Sequence, residues 1–282
     1  MSGAAAHRCE QVKRALLATL ACLPLLACSP GVERAEDGPR RIVSLDYCAD
    51  QYVLKFANRE DILALSPDAE KRFSYLRAEA AGVPRVRPRT ADVLALRPDL
   101  VVRSYGGGPG VEAFLERAGV PVVQLGYPET LAQVREEVVR VGTELGQPRE
   151  AKALAVEMDR RLAALRQTAA AGRRVLYMTS GGATAGADTL VHELIEAAGQ
   201  ANFQEEPGWH SVPLERLAYE RPDVVAFASF NGADSWSAAH HPIAEAQLRE
   251  VPVVPLESAW TSCGGWFLLD AVEALARAGA GE

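Results

Sequence analysis

Three blocks of this sequence occur twice, in the same order, and no other feature limits the possible folds so sharply. Arg41-Ile42-Val43-Ser44-Leu45 is matched by Arg174-Val175-Leu176-Tyr177-Met178. Asp92 to Val102 (DVLALRPDLVV) is matched by Glu215 to Ala226 (ERLAYERPDVVA) with a one-residue gap. Val120-Pro121-Val122-Val123-Gln124-Leu125 is matched by Val251-Pro252-Val253-Val254-Pro255-Leu256. The copies lie about 130 residues apart. One match of this kind arises by chance; three in order predict two similar lobes.

Each block reads as a short strand. IVSL, DLVV, PVVQL, RVLYM, DVVAF and PVVPL are nearly continuous apolar runs rather than alternating ones. That pattern suits strands covered on both faces, as in parallel sheets. Helical patterns lie between them. Ala113 to Ala118 stops at Gly119, and Asp188 to Ala198 opens on a capping residue and stops at Gly199. Strand and helix alternate, so each lobe is α/β, a Rossmann-like unit with a mostly parallel sheet.

The stretch between the lobes differs. Leu131, Val134, Val138, Val141 and Leu145, then Ala151, Leu154, Met158, Leu162 and Leu165, recur at helical spacing, interrupted at Gly146-Gln147-Pro148. We read 129–171 as one long interlobe helix with a break near Pro148. The first lobe is then 41–128 and the second 172–282. A helix is a stiff joint, so it predicts a small rocking motion rather than wide hinge closure.

The first 27 residues read as an address. Arg8, Lys13 and Arg14 precede an apolar run from Ala15 to Ala27, too short to span a membrane. Leu25-Leu26-Ala27-Cys28-Ser29 resembles the lipobox of bacterial lipoproteins, which implies lipidation at Cys28 and a membrane anchor. Residues 28–40 then form the lipidated end and a polar tether. Removing the signal takes Cys9 and Cys22 with it, so Cys48 and Cys263 are the two cysteines of the folded part. Each follows a first or last strand of its lobe. Free cleft thiols, a ligand contact and an interlobe disulfide all remain open for them.

Composition narrows the function. A chain that is 48% hydrophobic is not disordered. A formal charge of -7 without long Lys/Arg runs argues against nucleic acid as a partner. No Gly-x-Ser-x-Gly elbow and no phosphate loop ending in Gly-Lys-Ser/Thr is present, so the chain does not read as an enzyme. Gly106 to Gly110 reads as a turn, since Pro109 removes an amide donor and no Lys follows. His192, His210, His240 and His241 all fall in the second lobe, which disfavours a bare metal held between lobes.

Taken together, these marks resemble the substrate-binding proteins of ABC importers for cobalamin, haem and ferric siderophores. The marks are the RIVSL opening, the two R-P-D-hydrophobic blocks, and G-x-P-V-V after the first. A further mark is Thr184 to Leu190, followed by Glu193-Leu194-Ile195 and Ala198 to Asn202. The likeness covers about 41–278. It implies a monomer that captures a metal chelate in an interlobe cleft and delivers it to an ABC permease dimer, held at a bacterial membrane in the periplasm. A periplasmic sensor or scavenger on the same fold, or a haem receptor, are the alternatives. This chain carries Tyr47 and Gln51 where the family usually has Pro and Glu.

Ligands of open α/β sheets bind beyond the carboxyl ends of the strands. That rule selects Asp46, Tyr47 and Cys48; Arg103, Ser104 and Tyr105; Gly126 and Tyr127; Thr179 to Asp188; Ser229 to Asn231; and Ser258 to Trp266. The four tryptophans, Trp209, Trp236, Trp260 and Trp266, sit in or beside this set and in no predicted strand. By the resemblance, Trp209 and Trp260 fall where cobalamin binders place cleft aromatics, and Tyr105 lies near another such position. The expected ligand set is Tyr47, Cys48, Tyr105, Trp209, Trp260 and Cys263, with no catalytic residue and no resident metal or cofactor. Few cations are at hand: Arg103, with Lys71, Arg72 and Arg77 in a neighbouring loop. A trianionic catecholate needs more, so a corrinoid is favoured and a ferric siderophore follows. The resemblance also implies an acidic permease-docking residue on each lobe. Glu215 fills that position in the second lobe; in the first it is Ala91, with Asp92 one residue beyond.

Overall fold

The computed structural model describes residues 40–168, 172–229 and 237–280. The signal run, Cys28, most of the tether and Trp236 lie outside them.

The first lobe runs β1 (Ile42–Ser44), α1 (Tyr47–Phe56), β2 (Ile62–Ala64), α2 (Thr90–Ala95), β3 (Leu100–Arg103), α3 (Val111–Arg117) and β4 (Val122–Gln124). Two helices follow, α4 (Leu131–Glu144) and α5 (Pro148–Thr168). The second lobe runs β5 (Arg174–Thr179), β6 (Ala183–Ala185), α6 (Leu190–Ala197), β7 (Ala201–Asn202), β8 (Trp209–Ser211), α7 (Leu214–Leu217), β9 (Val224–Ser229), α8 (Pro242–Glu250), β10 (Val253–Glu257), α9 (Ser258–Thr261) and α10 (Leu268–Ala280).

Each lobe is built on a four-stranded sheet with only parallel pairings. The orders are β2-β1-β3-β4 and β7-β5-β9-β10. The three repeated sequence blocks are β1 with β5, β3 with β9, and β4 with β10, and they hold matching places in the two sheets. The strands carry apolar residues on both faces because both faces are covered. Val43, Leu45, Val101 and Leu115 pack on one side of the first sheet; Ile42, Leu100 and Val102 pack on the other. A small antiparallel pair, β6 with β8, is added to the second lobe.

The connecting region differs from a single interrupted helix. Gly146, at a φ of 85°, turns the chain, and Pro148 starts α5, where its missing N–H costs no intrahelical bond. The two helices then run back along each other, with Arg135 of α4 paired to Asp159 of α5 at 2.9 Å. Gly142 permits the approach: a Cβ there would lie 2.5 Å from the Cβ of Ala151. Thus α4 belongs with the first lobe, its Val134, Val138 and Val141 buried, and α5 is the long interlobe helix. At the far side Arg161 of α5 pairs with Asp270 and Glu273 of α10, each at 2.7 Å.

The lobes also share a core. Tyr52, Phe56 and Val138 of the first lobe lie in one apolar cluster with Val175, Leu194, Trp266, Phe267 and Leu269 of the second. Trp266, only 8% exposed, meets Tyr52, Phe56 and Tyr75 edge to face at centroid distances of 5.7, 6.2 and 6.5 Å. Stiffness between the lobes therefore comes from packing as well as from α5.

One buried acid ties α1 to the exit of β2. Asp50 accepts from the amide of Ser66 at 3.0 Å and from its hydroxyl at 2.6 Å. Burial pushes its carboxyl up to about 6; the bonds from Ser44 and Ser66 oppose this, and the charge of Asp46 adds to it. A raised carboxyl favours folding most below the pKa of the unfolded chain and loses that advantage as pH rises through 6. Wild-type stability should fall between pH 4 and pH 7 relative to Asp50→Asn, by on the order of 3 kcal/mol. Urea denaturation of both proteins across that range checks this; parallel curves would contradict it.

Candidate functional site

The carboxyl ends of the two sheets face a common cleft of about 560 Å³ that is partly open to solvent. Such a volume is ordinary for a small-molecule site. The first lobe supplies Tyr47 and Cys48 from the start of α1, Ser104 and Tyr105 after β3, and Leu125 to Glu129 after β4. The second supplies Asp188 to Val191 and Leu194 at α6, Gly208 and Trp209 at β8, and Thr261 to Gly264 after α9.

Asp46 builds the first-lobe wall. Its Oδ1 accepts from the amide of Ala49 at 3.0 Å and caps α1. Its Oδ2 accepts from the amides of Ser104, Tyr105 and Gly106 at 2.7, 3.1 and 2.9 Å. Asp46 is thus consumed in shaping the loop that presents Tyr105. Gly106 is required by this approach, since a Cβ would lie 2.3 Å from the carbonyl oxygen of Leu45. Arg103 closes the same loop from beneath, donating to the carbonyls of Gly106 and Gly108 and to the side chain of Gln124. Its guanidinium is buried and committed, so the cation expected in the cleft is a structural one. Gly106 to Gly110 is a turn, as read.

Tyr47 and Tyr105 meet edge to face at 5.8 Å, and each phenol influences the other's titration. Burial raises the pKa of both, and the charges of Asp46 and Asp68 raise them further. Both phenols are therefore held neutral, as hydrogen-bonding groups. Gln51, at the position where Glu was expected, is buried. It donates to the Tyr47 carbonyl at 2.6 Å and to Ser74 at 2.8 Å, and accepts from the Leu76 amide at 2.7 Å. It holds α1 against the following loop and does not face the ligand space.

The tryptophans divide. Trp209 opens β8, contrary to the expectation of no strand tryptophan, and stands 59% exposed over the cleft. It touches Tyr177 edge to face at 6.1 Å. Trp260 is not among the described lining residues; it is half-buried on α9, packed against the shared core. Trp266 is a core residue. A loop position alone does not tell a cleft ring from one folded underneath.

Cys48 and Cys263 are joined in a disulfide with Cα atoms 5.5 Å apart. Of the three arrangements left open by the sequence, the structure has the interlobe bridge. Both half-cystines line the cleft.

The described lining contains three carboxylates, Glu129, Glu137 and Asp188, and no Lys, Arg or His. Glu137 is engaged by the Gly126 amide at 2.7 Å and by Arg140. Among the described residues no group of three or more His, Cys, Asp and Glu is placed to hold a metal ion. Apolar residues of α6, Leu190, Val191 and Leu194, complete the second-lobe wall. Sequence reasoning missed them, because an apolar helix face reads equally well as core. Glu215, in the first turn of α7, and Asp92, in the first turn of α2, are both exposed and away from the cleft lining.

A family model described as "Periplasmic binding protein" matches residues 86–245. A cobalamin-binding protein of Halobacterium salinarum is 28% identical over 201 residues, which cover 66% of this chain and 53% of that protein. The chain thus spans about half the length of the curated relatives it matches. Among solved structures, the apo haem-binding protein RhuT of Roseiflexus sp. RS-1 aligns with a TM-score of 0.67 at 23% identity, over 86% of this chain and 100% of that one. The vitamin B12 binding protein BtuF of Vibrio cholerae aligns with a TM-score of 0.64 at 20% identity, over 86% and 97%. With two matching parallel sheets meeting at a common cleft, and a family model covering more than half its length, this chain belongs to the periplasmic binding protein family.

Proposed function

We propose that this protein captures a neutral or weakly charged metal chelate, a cobalt corrinoid first and a hydroxamate-type ferric siderophore second, and hands it to an ABC permease. The carrying observation is the cleft lining: Tyr47, Tyr105, Tyr127 and Trp209 around an apolar floor, with no described cation. Broad aromatic faces bury large amphipathic ligands and keep a polar handle for their edges. A trianionic catecholate would meet carboxylates and, among the described lining residues, no guanidinium. The likeness to a cobalamin-binding protein supports the corrinoid reading. The family places the protein in the periplasm; lipidation at Cys28 would tether it to the membrane there. It acts by binding, without a catalytic residue, and works as a monomer.

A haem ligand is the second reading, favoured by the paired phenols and the fold shared with haem binders. Against it, the propionates of haem would lack a described cation in the cleft.

Trp209→Ala should weaken binding of cyanocobalamin about 10- to 100-fold, the worth of a large ring buried on one face. Trp260→Ala should leave affinity within about twofold while lowering stability, because its ring packs on the core. Tryptophan fluorescence titration of the variants checks this; equal effects from both would return Trp209 to a packing role.

Delivery rests on Glu215, with Asp92 in the first lobe as its counterpart. Glu215→Arg should leave cyanocobalamin affinity unchanged and abolish uptake by cells, since like charges would then face each other across the contact. Asp92→Arg should reduce uptake less. Normal uptake with Glu215→Arg at wild-type protein levels would favour a sensor or scavenger without an importer.

A further inference from the structure

The disulfide links two loops that carry the ligand surface, one from each lobe. Cys48 lies in the first turn of α1, just after β1; Cys263 follows α9, just after β10. They are 215 residues apart in sequence, and both line the cleft. Non-covalent contacts cross between the lobes on the same side. The Tyr52 hydroxyl donates to the Gly264 carbonyl at 2.9 Å, and the Tyr75 hydroxyl donates to Asp270 at 2.8 Å. Gly264 sits so close to Pro128 that a Cβ would lie 2.5 Å from its Cγ. Each of these contacts separates if the lobes swing apart. The sulfur–sulfur bond does not, because a disulfide tolerates Cα separations of only about 4.4–6.8 Å.

We propose that Cys48–Cys263 is a covalent stop on cleft opening and a positioning pair for ligand capture. The ligand half of this statement rests on the cleft reading given above; the stop does not. The bridge pins the two lobes to each other within the cleft lining, so relative motion of the lobes is confined to lining residues away from it. It also fixes the residues on either side. Tyr47, next to Cys48, is kept in register with Tyr105, and Ser262 to Gly264 are kept in place in the cleft lining. A lining that is set before the ligand arrives spares the cost of ordering it on binding. Loss of the bridge therefore acts chiefly on how long the ligand stays, since changes within one interface fall mainly on the dissociation rate.

The test uses the double variant Cys48→Ser/Cys263→Ser and, independently, wild-type protein folded first and then reduced with a water-soluble phosphine. In that reduction the phosphine gives two electrons to the sulfur–sulfur bond and water supplies the two protons and one oxygen, so two thiols form and the phosphine becomes its oxide. The reduced wild type covers the case in which the variant does not fold. The expected result in the ligand-free protein is faster amide hydrogen exchange over residues 46–52 and 260–266, with a larger radius of gyration. With cyanocobalamin as probe, the dissociation rate should rise about tenfold and the association rate should stay within about threefold. If cyanocobalamin does not bind the oxidised wild type, the ligand reading fails, and the exchange and scattering measurements still decide the stop. Unchanged exchange and radius in the reduced protein overturn the proposal. So does a loss of affinity carried wholly by the association rate.

Discussion

Replacing Asp46 by alanine is expected to destabilise the protein by about 3–5 kcal/mol and to remove ligand binding. The carboxylate accepts four backbone N–H groups: those of Ala49, Ser104, Tyr105 and Gly106. Asp46, Ser104 and Gly106 are buried, so water does not replace the lost acceptor without reshaping the loop. A buried donor left unpaired costs about 1–3 kcal/mol, and bonds to a charged acceptor are the strong ones. The first turn of α1 would lose its cap as well. Asp46→Asn is the informative companion. It keeps one acceptor oxygen but presents an NH2 group to the other set of amides. It should therefore retain part of the stability while still displacing Tyr105. Urea denaturation together with the near-ultraviolet spectrum of the tyrosines measures both effects. A cost below 1 kcal/mol for Asp46→Ala would show that the loop after β3 is held by Arg103 and Gln124 instead.

Trp266→Ala is the second large effect, about 3–5 kcal/mol. The ring is buried where the lobes meet, in contact with Tyr52, Phe56, Tyr75 and Phe267. The cavity it leaves opens between lobes rather than within one, and α5 and the disulfide would still hold them near. The expected unfolding curve therefore has a lower midpoint and a shallower slope than wild type, because the lobes no longer melt as one unit. Thermal and urea unfolding followed by two probes check this. A cooperative transition with unchanged slope and a shift below 1 kcal/mol would mean that the shared cluster adds little to the joint between lobes.

The repeat made the fold readable, and the reason is physical. Buried parallel strands must be apolar on both faces, so β1, β3, β4 and their counterparts β5, β9, β10 stand out as continuous apolar runs. Strand β7, with two residues, is too short for any pattern to register, and β2, Ile62–Ala64, has no counterpart among the repeated blocks. The fold-back of α4 on α5 was hidden for a different reason. Helical spacing continues straight through Pro148, because proline is accepted at the first position of a new helix as readily as at a break. Only the left-handed Gly146 and the small Gly142 and Ala151 mark a reversal there.

The cleft was legible by rule and not by residue. Position after a strand placed Tyr47, Cys48, Tyr105, Tyr127 and Cys263 at the right end of their sheets. The same rule could not tell Trp209, which lines the cleft, from Trp266, which is buried in the shared core. It also made Asp46 and Arg103 look like ligand contacts, when their hydrogen bonds are spent on the loop between them. The pairing of Cys48 with Cys263 depends on how close the lobes sit, a quantity that neither loop encodes by itself.

With no Lys, Arg or His among its described lining residues, the aromatic cleft should select a neutral or weakly charged chelate over an anionic one. Calorimetric titration of the wild-type protein with cyanocobalamin, a ferric hydroxamate, haemin and a trianionic ferric catecholate, at one pH and ionic strength, tests it most directly. Cyanocobalamin should bind with a Kd of about 1 μM or tighter, and the catecholate at least about a hundredfold more weakly. Catecholate or haemin binding as tightly as the corrinoid would contradict it.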